Sequence, residues 1–118
     1  MDKPWTDVLI DTKDFTVYKD GYPVTEGHVL FVPREENWKS MTKCFEAAYK
    51  WGYDWVERGY CDAFNIGQNV GESAGQTVNY PHVHLIPINH ERDMNFSNPK
   101  KTFTSQEMQE VAEMIKNA

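Results

Sequence analysis

The chain has 118 residues, 40% of them hydrophobic, with four Trp, six Tyr and six Phe. That is material for one core and a single domain over residues 1–118. A formal charge of -6 argues against a general nucleic-acid binder, which would carry a basic face, but leaves room for a small nucleotide held by one loop. No run reaches the length of a bilayer span and Met1-Asp-Lys-Pro-Trp5 has no apolar signal core, so a soluble cytoplasmic protein without a membrane partner is expected.

Val8-Leu-Ile10 and Phe15-Thr-Val-Tyr18 read as short strands, broken by Asp11-Thr-Lys-Asp14. Gly21-Tyr-Pro23 is a turn signal, and Gly27-His-Val-Leu-Phe-Val-Pro33 is a rich strand ended by its proline. Together they predict an antiparallel meander. From Asn37 to Arg58, Trp38, Met41, Phe45, Ala48, Gly52 and Trp55 recur at helical spacing and predict one apolar stripe. Gly52 should weaken that helix by roughly 1 kcal/mol relative to alanine. Gly59 is placed to end it.

Cys61 to Ile66 predicts another strand, and Gly67 to Gly75 a polar loop. Asn79 to Ile88 predicts a strand, although Pro81 cannot donate to a ladder. Asn89 to Lys101 is polar and is expected to be irregular. Thr104-Ser-Gln-Glu107 matches a capping box, and Met108, Val111, Ala112 and Ile115 then predict one apolar face of a closing helix. The sum is an α+β domain. Cys44 and Cys61 lack C-x-x-C spacing. They are expected to be reduced and structural, with a disulfide between them left open.

The chemistry gathers in Gly75-Gln-Thr-Val-Asn-Tyr-Pro-His-Val-His-Leu-Ile-Pro87. On a strand, residues two apart share a face, so His82 and His84 would stand together. The small-residue loop before them offers backbone amides to an anion. One imidazole would attack phosphorus while the other holds oxygens or balances protons. A bare H-x-H is equally compatible with metal ligation, with His28 or His90 as a third ligand. His90 is otherwise a surface residue without an assigned role.

The pattern Gly-x-x-x-Gly-Gln-Thr-Val-x-x-x-His-x-His-x-x-Pro, preceded by Asn65-Ile-Gly-Gln-Asn69, resembles the signature of the histidine-triad family of nucleotide hydrolases and transferases. An earlier block, Asp20-Gly-Tyr-Pro-Val-Thr-Glu-Gly-His-Val-Leu-Phe-Val-Pro-Arg34, resembles that family's first conserved segment. The resemblance implies a five-stranded antiparallel sheet with one long helix, and a homodimer.

It also implies residue roles. His82 aligns with the nucleophile and His84 with the histidine that contacts the reacting phosphate. His28 matches the supporting upstream histidine, and Asp20 the carboxylate that binds the ribose hydroxyls. Asn69, Gly75 and Thr77 match the phosphate-side loop, which also contains Gln76. The Gly75 amide and Thr77 hydroxyl would stabilise phosphate charge. A nucleotidyl-histidine intermediate would form and be hydrolysed. The substrate is expected to be a purine nucleotide, with no cofactor and no metal. The residues taken singly have plainer readings: a buried His28, a turn residue at Asp20, a strand-entry Thr77.

The chain departs from the family pattern in three places. Tyr80 stands where the first triad histidine belongs, and its hydroxyl is expected to replace that histidine's hydrogen bond. Fewer than ten residues precede Val8, where many members carry a base-pocket helix; Pro4 and Trp5 partly fill that place. Ile88 follows Pro87, where some dinucleoside polyphosphate hydrolases have arginine. An alternative reading is therefore a nucleotide-binding module with reduced or lost catalysis.

Overall fold

The computed structural model describes residues 5–90. The closing helix expected from Thr104 to Ile115 lies outside them. The elements run β1 (Val8–Asp11), β2 (Phe15–Lys19), β3 (Val29–Pro33), α1 (Trp38–Glu57), β4 (Ala63–Gly67) and β5 (Val83–Ile88), with a 3-10 turn at Glu72–Ala74. They form one antiparallel sheet in the order β1-β2-β3-β5-β4. Among the described residues no helix is long and apolar enough to cross a membrane.

Strand alternation divides the molecule into two working faces. Val17, Val29, Phe31, Val83 and Leu85 pack beneath α1 with Ala48, Trp51 and Trp55. Each Val, Leu or Phe buried in this way is worth roughly 1.5–3 kcal/mol against exposure. The neighbouring residues Tyr18, Leu30 and Val32 form a second cluster with Tyr80 and the half-buried Trp5. His84 sits directly opposite Leu30 in the β3–β5 register. The histidine side of the sheet is therefore the side that α1 leaves uncovered.

Helix α1 starts where Asn37 caps it, its side-chain oxygen accepting the Ser40 N–H at 2.9 Å. It stops before Gly59, whose φ of 78° an L-residue rarely adopts. The expected stripe needs correction. Trp38 is 73% exposed, and the buried ladder is Cys44, Ala47, Ala48, Trp51, Gly52 and Trp55. Trp38 keeps the apolar spacing but lies off the core, whereas Met41 and Phe45 are partly buried against it. Gly52 is a packing requirement as well as a weak helix former: a Cβ there would lie 2.6 Å from the Phe64 ring of β4.

Strand β5 begins at Val83, not at Asn79, so Pro81 and His82 precede it. Pro87 lies within this strand, but β3 pairs with β5 only as far as Leu85. No ladder donor is required of Pro87 on that side. Its carbonyl instead accepts the Thr25 hydroxyl at 2.5 Å. Cys44 and Cys61 are not joined in a disulfide and both are buried, as expected. Burial, with Asp14 adding to it, pushes the Cys44 thiol up to about 12.

Candidate active site

Asp20 follows β2 and His28 precedes β3, and the Asp20 N–H donates to the His28 carbonyl at 3.1 Å. Hairpin geometry thus brings the two side chains together. His28 Nε2 lies 2.9 Å from His84 Nδ1 and 3.3 Å from Asp20 Oδ2. The other Asp20 oxygen accepts the Tyr22 N–H at 2.8 Å. Asp20 is therefore a turn-capping residue and a member of the polar cluster at once.

A backbone donor sets the protons in this cluster. Val24 N–H donates to His28 Nδ1 at 3.1 Å. That nitrogen must keep its lone pair, so the proton of neutral His28 sits on Nε2. His84 Nδ1, facing that N–H, must accept, which leaves the His84 proton on its own Nε2. Burial lowers the His28 pKa; Asp20 opposes the shift and His82 adds to it. Burial, then His82 and His28, push His84 down to about 4 against the pull of Asp20. Both rings are neutral at pH 7.

His82 is oriented differently. Its Nδ1 lies 2.9 Å from the Tyr80 carbonyl. Only an N–H can satisfy that contact, so Nε2 carries the lone pair and can accept a proton or attack an electrophile. The His82 and His84 rings are 4.8 Å apart and steeply inclined. Trp5 meets His82 edge-on at 5.0 Å. His82 is only 7% exposed.

The expected role of the Tyr80 side chain is corrected. Its hydroxyl donates toward the Pro33 carbonyl at 2.8 Å and lies 3.2 Å from that of Arg34. It points into the cluster with Tyr18, Leu30 and Val32, and Tyr80 is not among the residues lining the hollow. Burial raises its pKa, with Glu36, Tyr18 and Cys44 adding. Tyr80 supports the site through its carbonyl, which any residue supplies.

Asp20, His28, His82, His84, Thr77 and Trp5 line a common hollow of about 460 Å³. Asn69, Gly75 and Gln76 do not. Gly75 and Gln76 line a second hollow of about 340 Å³ that shares Thr77 with the first. The Gly75 N–H donates to the Glu72 carbonyl at 2.9 Å, so that amide is occupied and is not directed at an anion. Gly75 is required for another reason. Its φ is 96°, and a Cβ would lie 3.1 Å from Asn69 Nδ2. Asn69 donates to the Ala74 carbonyl at 2.6 Å. Gln76 ties the loop together, accepting from Gly71 N–H and donating to the Val78 and Asn79 carbonyls. The two amide side chains build the loop that presents Thr77. His90 is exposed, and its backbone N–H donates to Asp62 at 2.6 Å.

Asp20, His28 and His84 bring one donor atom each within 4.8 Å, a spacing that suits a metal ion. The protons argue otherwise. A metal-bound imidazole donates its remaining N–H outward, whereas His28 Nδ1 faces a backbone N–H. Loading Nε2 with a metal would set two N–H groups against each other. This donor set fits shared protons better than a cation, and His82 is not part of it.

The HIT domain family model matches residues 4–91. The chain belongs to the HIT family. It is 31% identical over 91 residues to an adenosine 5'-monophosphoramidase of Saccharomyces cerevisiae, covering 71% of this chain and 55% of that protein. Across three curated relatives the HIT chain spans 55% to 67% of their length. A zinc-bound histidine triad family protein from Mycobacterium smegmatis has the same fold, with a TM-score of 0.74 at 19% identity over 93% of this chain and 86% of that one. So does a diadenosine triphosphate hydrolase of Plasmodium falciparum, with a TM-score of 0.62 at 24% identity over 94% and 74%.

Trp5 and Val24 are the contributors that sequence reading left without a settled role. Trp5 carried a faint signal as a filler of the base-pocket position. Val24 carried none, because it acts through its backbone.

Proposed function

We propose that this HIT domain is a nucleotide hydrolase or transferase that cleaves a phosphoanhydride or phosphoramidate of a nucleoside monophosphate, with His82 as nucleophile. The reading rests on one observation above all: Nδ1 of His82 is tied to the Tyr80 carbonyl, which leaves Nε2 with a lone pair in a hollow shared with Asp20, His84 and Thr77. Support comes from the phosphoramidase and the dinucleoside triphosphate hydrolase to which the chain is similar.

In this chemistry, Nε2 forms a bond to the α-phosphorus. The bond to the departing oxygen or nitrogen breaks, and its electron pair leaves with that atom, which takes a proton. The Nε2–H of His84 and the hydroxyl of Thr77 donate to the phosphoryl oxygens as charge builds on them. Water then attacks phosphorus and gives up a proton to solvent, the N–P bond breaks, and the electron pair returns to Nε2. Asp20 accepts the ribose hydroxyls, and the apolar wall of Trp5 and Leu30 takes a base, with purines favoured by their larger ring face. Because the contact to His82 Nδ1 comes from the Tyr80 carbonyl, loss of the first triad histidine leaves that hydrogen bond intact.

We further propose a homodimer built on β4. That strand is at the sheet edge, and Tyr53 stacks on Phe64 and on Tyr49 beside it, with both tyrosines more than half exposed. Turnover of an adenosine phosphoramidate and of a diadenosine polyphosphate, compared between wild type and His82→Ala, tests the central reading. Loss of at least a thousandfold is expected from the order of such nucleophile deletions. Equal turnover would remove His82 from the nucleophile role.

A further inference from the structure

The second hollow, across Thr77 from the nucleotide hollow, has no part in the chemistry above. It is lined by Glu72, Gly75, Gln76, Thr77 and Asn79. Its loop is tied internally: Asn69 holds Ala74, and Gln76 holds Gly71, Val78 and Asn79. The Glu72 carboxylate has no ion pair or hydrogen bond among the described residues. Neither lysine nor arginine lines the hollow.

We propose that this hollow receives the departing group, and that Glu72 selects a cationic one. The inference rests on His82 being the nucleophile. A group displaced from phosphorus leaves on the side away from the attacking atom, roughly in line with it. Thr77 borders both hollows, so a group displaced from a phosphate held at Thr77 has the Glu72 hollow next to it. A polyphosphate arm would bring several negative charges beside an unpaired carboxylate, with no cation lining the hollow to offset them. An amine that carries a second ammonium would meet that carboxylate favourably.

Three adenosine 5'-phosphoramidates of matched length test this, with leaving groups of 1,4-diaminobutane, butylamine and 4-aminobutanoate. The readout is the ratio of kcat/KM among them in wild type, Glu72→Gln and Glu72→Lys, with His82→Ala run alongside. Wild type should favour the cationic over the neutral group by about fivefold, the size of a screened surface pair, and disfavour the anionic one similarly. Glu72→Gln should flatten the series and Glu72→Lys should reverse it. Added salt should compress the wild-type ratio. If wild type exceeds His82→Ala but treats all three groups alike, or if Glu72→Lys keeps the wild-type order, the selection by Glu72 is overturned while the nucleophile stands. If His82→Ala matches wild type on all three, the nucleophile and this subsite fall together.

Discussion

The backbone N–H of Val24 donates to Nδ1 of His28, and this contact fixes where protons lie on two imidazoles. His28 must present N–H toward His84, and His84 must then present N–H outward. A donor that contributes no side chain therefore decides which face of His84 can meet an oxygen anion.

The first prediction concerns acid. His84 is held down at about 4 by burial and by His82 and His28, and burial also lowers His28. The unfolded chain would bind protons on these rings near the usual 6.5, so it takes up more protons than the fold below that pH. Stability is fully present above pH 6.5 and declines as pH falls toward 4. Urea unfolding at pH 7 and pH 4.5 should show the decline, and His84→Gln should make it shallower by about 1 kcal/mol once partial solvent screening is allowed for.

A second prediction separates the two ends of Tyr80. Tyr80→Phe removes the hydroxyl contacts to Pro33 and Arg34 but keeps the carbonyl that holds His82. Stability should fall by about 1 kcal/mol. Turnover per folded molecule should change by less than about twofold, a barrier change of under about 0.5 kcal/mol, because the carbonyl that orients His82 stays in place. A large kcat loss with unchanged stability would show that the hydroxyl acts on the reaction.

The loop gives a third. Gly75→Ala meets an unfavourable φ of 96° and a side chain 3.1 Å away. The strain should cost about 1–2 kcal/mol. Because Thr77 follows on the same loop, activity should fall with it. Asn69→Ala removes the tie to Ala74 without adding strain, so it should lower activity with a smaller stability loss. Thermal unfolding and steady-state rates on the same samples distinguish the two.

A fourth tests the helix–sheet contact. Alanine at position 52 would gain roughly 1 kcal/mol of helix propensity. Its Cβ would lie 2.6 to 2.8 Å from Phe64 ring atoms, and overpacking of this kind costs about 1–3 kcal/mol. Gly52→Ala should therefore be destabilising. Pairing it with Phe64→Leu, which trims the opposing ring, should recover part of the loss in a double-mutant cycle.

Much of the fold was legible in the sequence because period and punctuation agreed. Asn37, Arg58 and Gly59 bounded the helix, and the strand read over Gly27 to Pro33 contains the observed Val29–Pro33. The covered part of the helix was not legible, since Trp38 and Trp55 satisfy the same spacing and only Trp55 has a sheet beneath it. At the site, the H-x-H spacing pointed to His82 and His84 and the family resemblance to His28, Asp20 and Thr77, and all five line one hollow. What escaped was direction. A tyrosine hydroxyl turned toward Pro33, a glycine amide already bonded to Glu72, and a main-chain donor at Val24 leave no trace in residue identity.

Strands β3 and β5 send alternate residues to the helix and to the hollow. Sliding their pairing by one position would exchange Leu30 and His84 for Phe31 and Val83 across the whole ladder. A refolded preparation should then be a mixture of full-strength molecules and blanks, with its specific activity counting correctly registered chains rather than reporting a uniformly slowed catalyst.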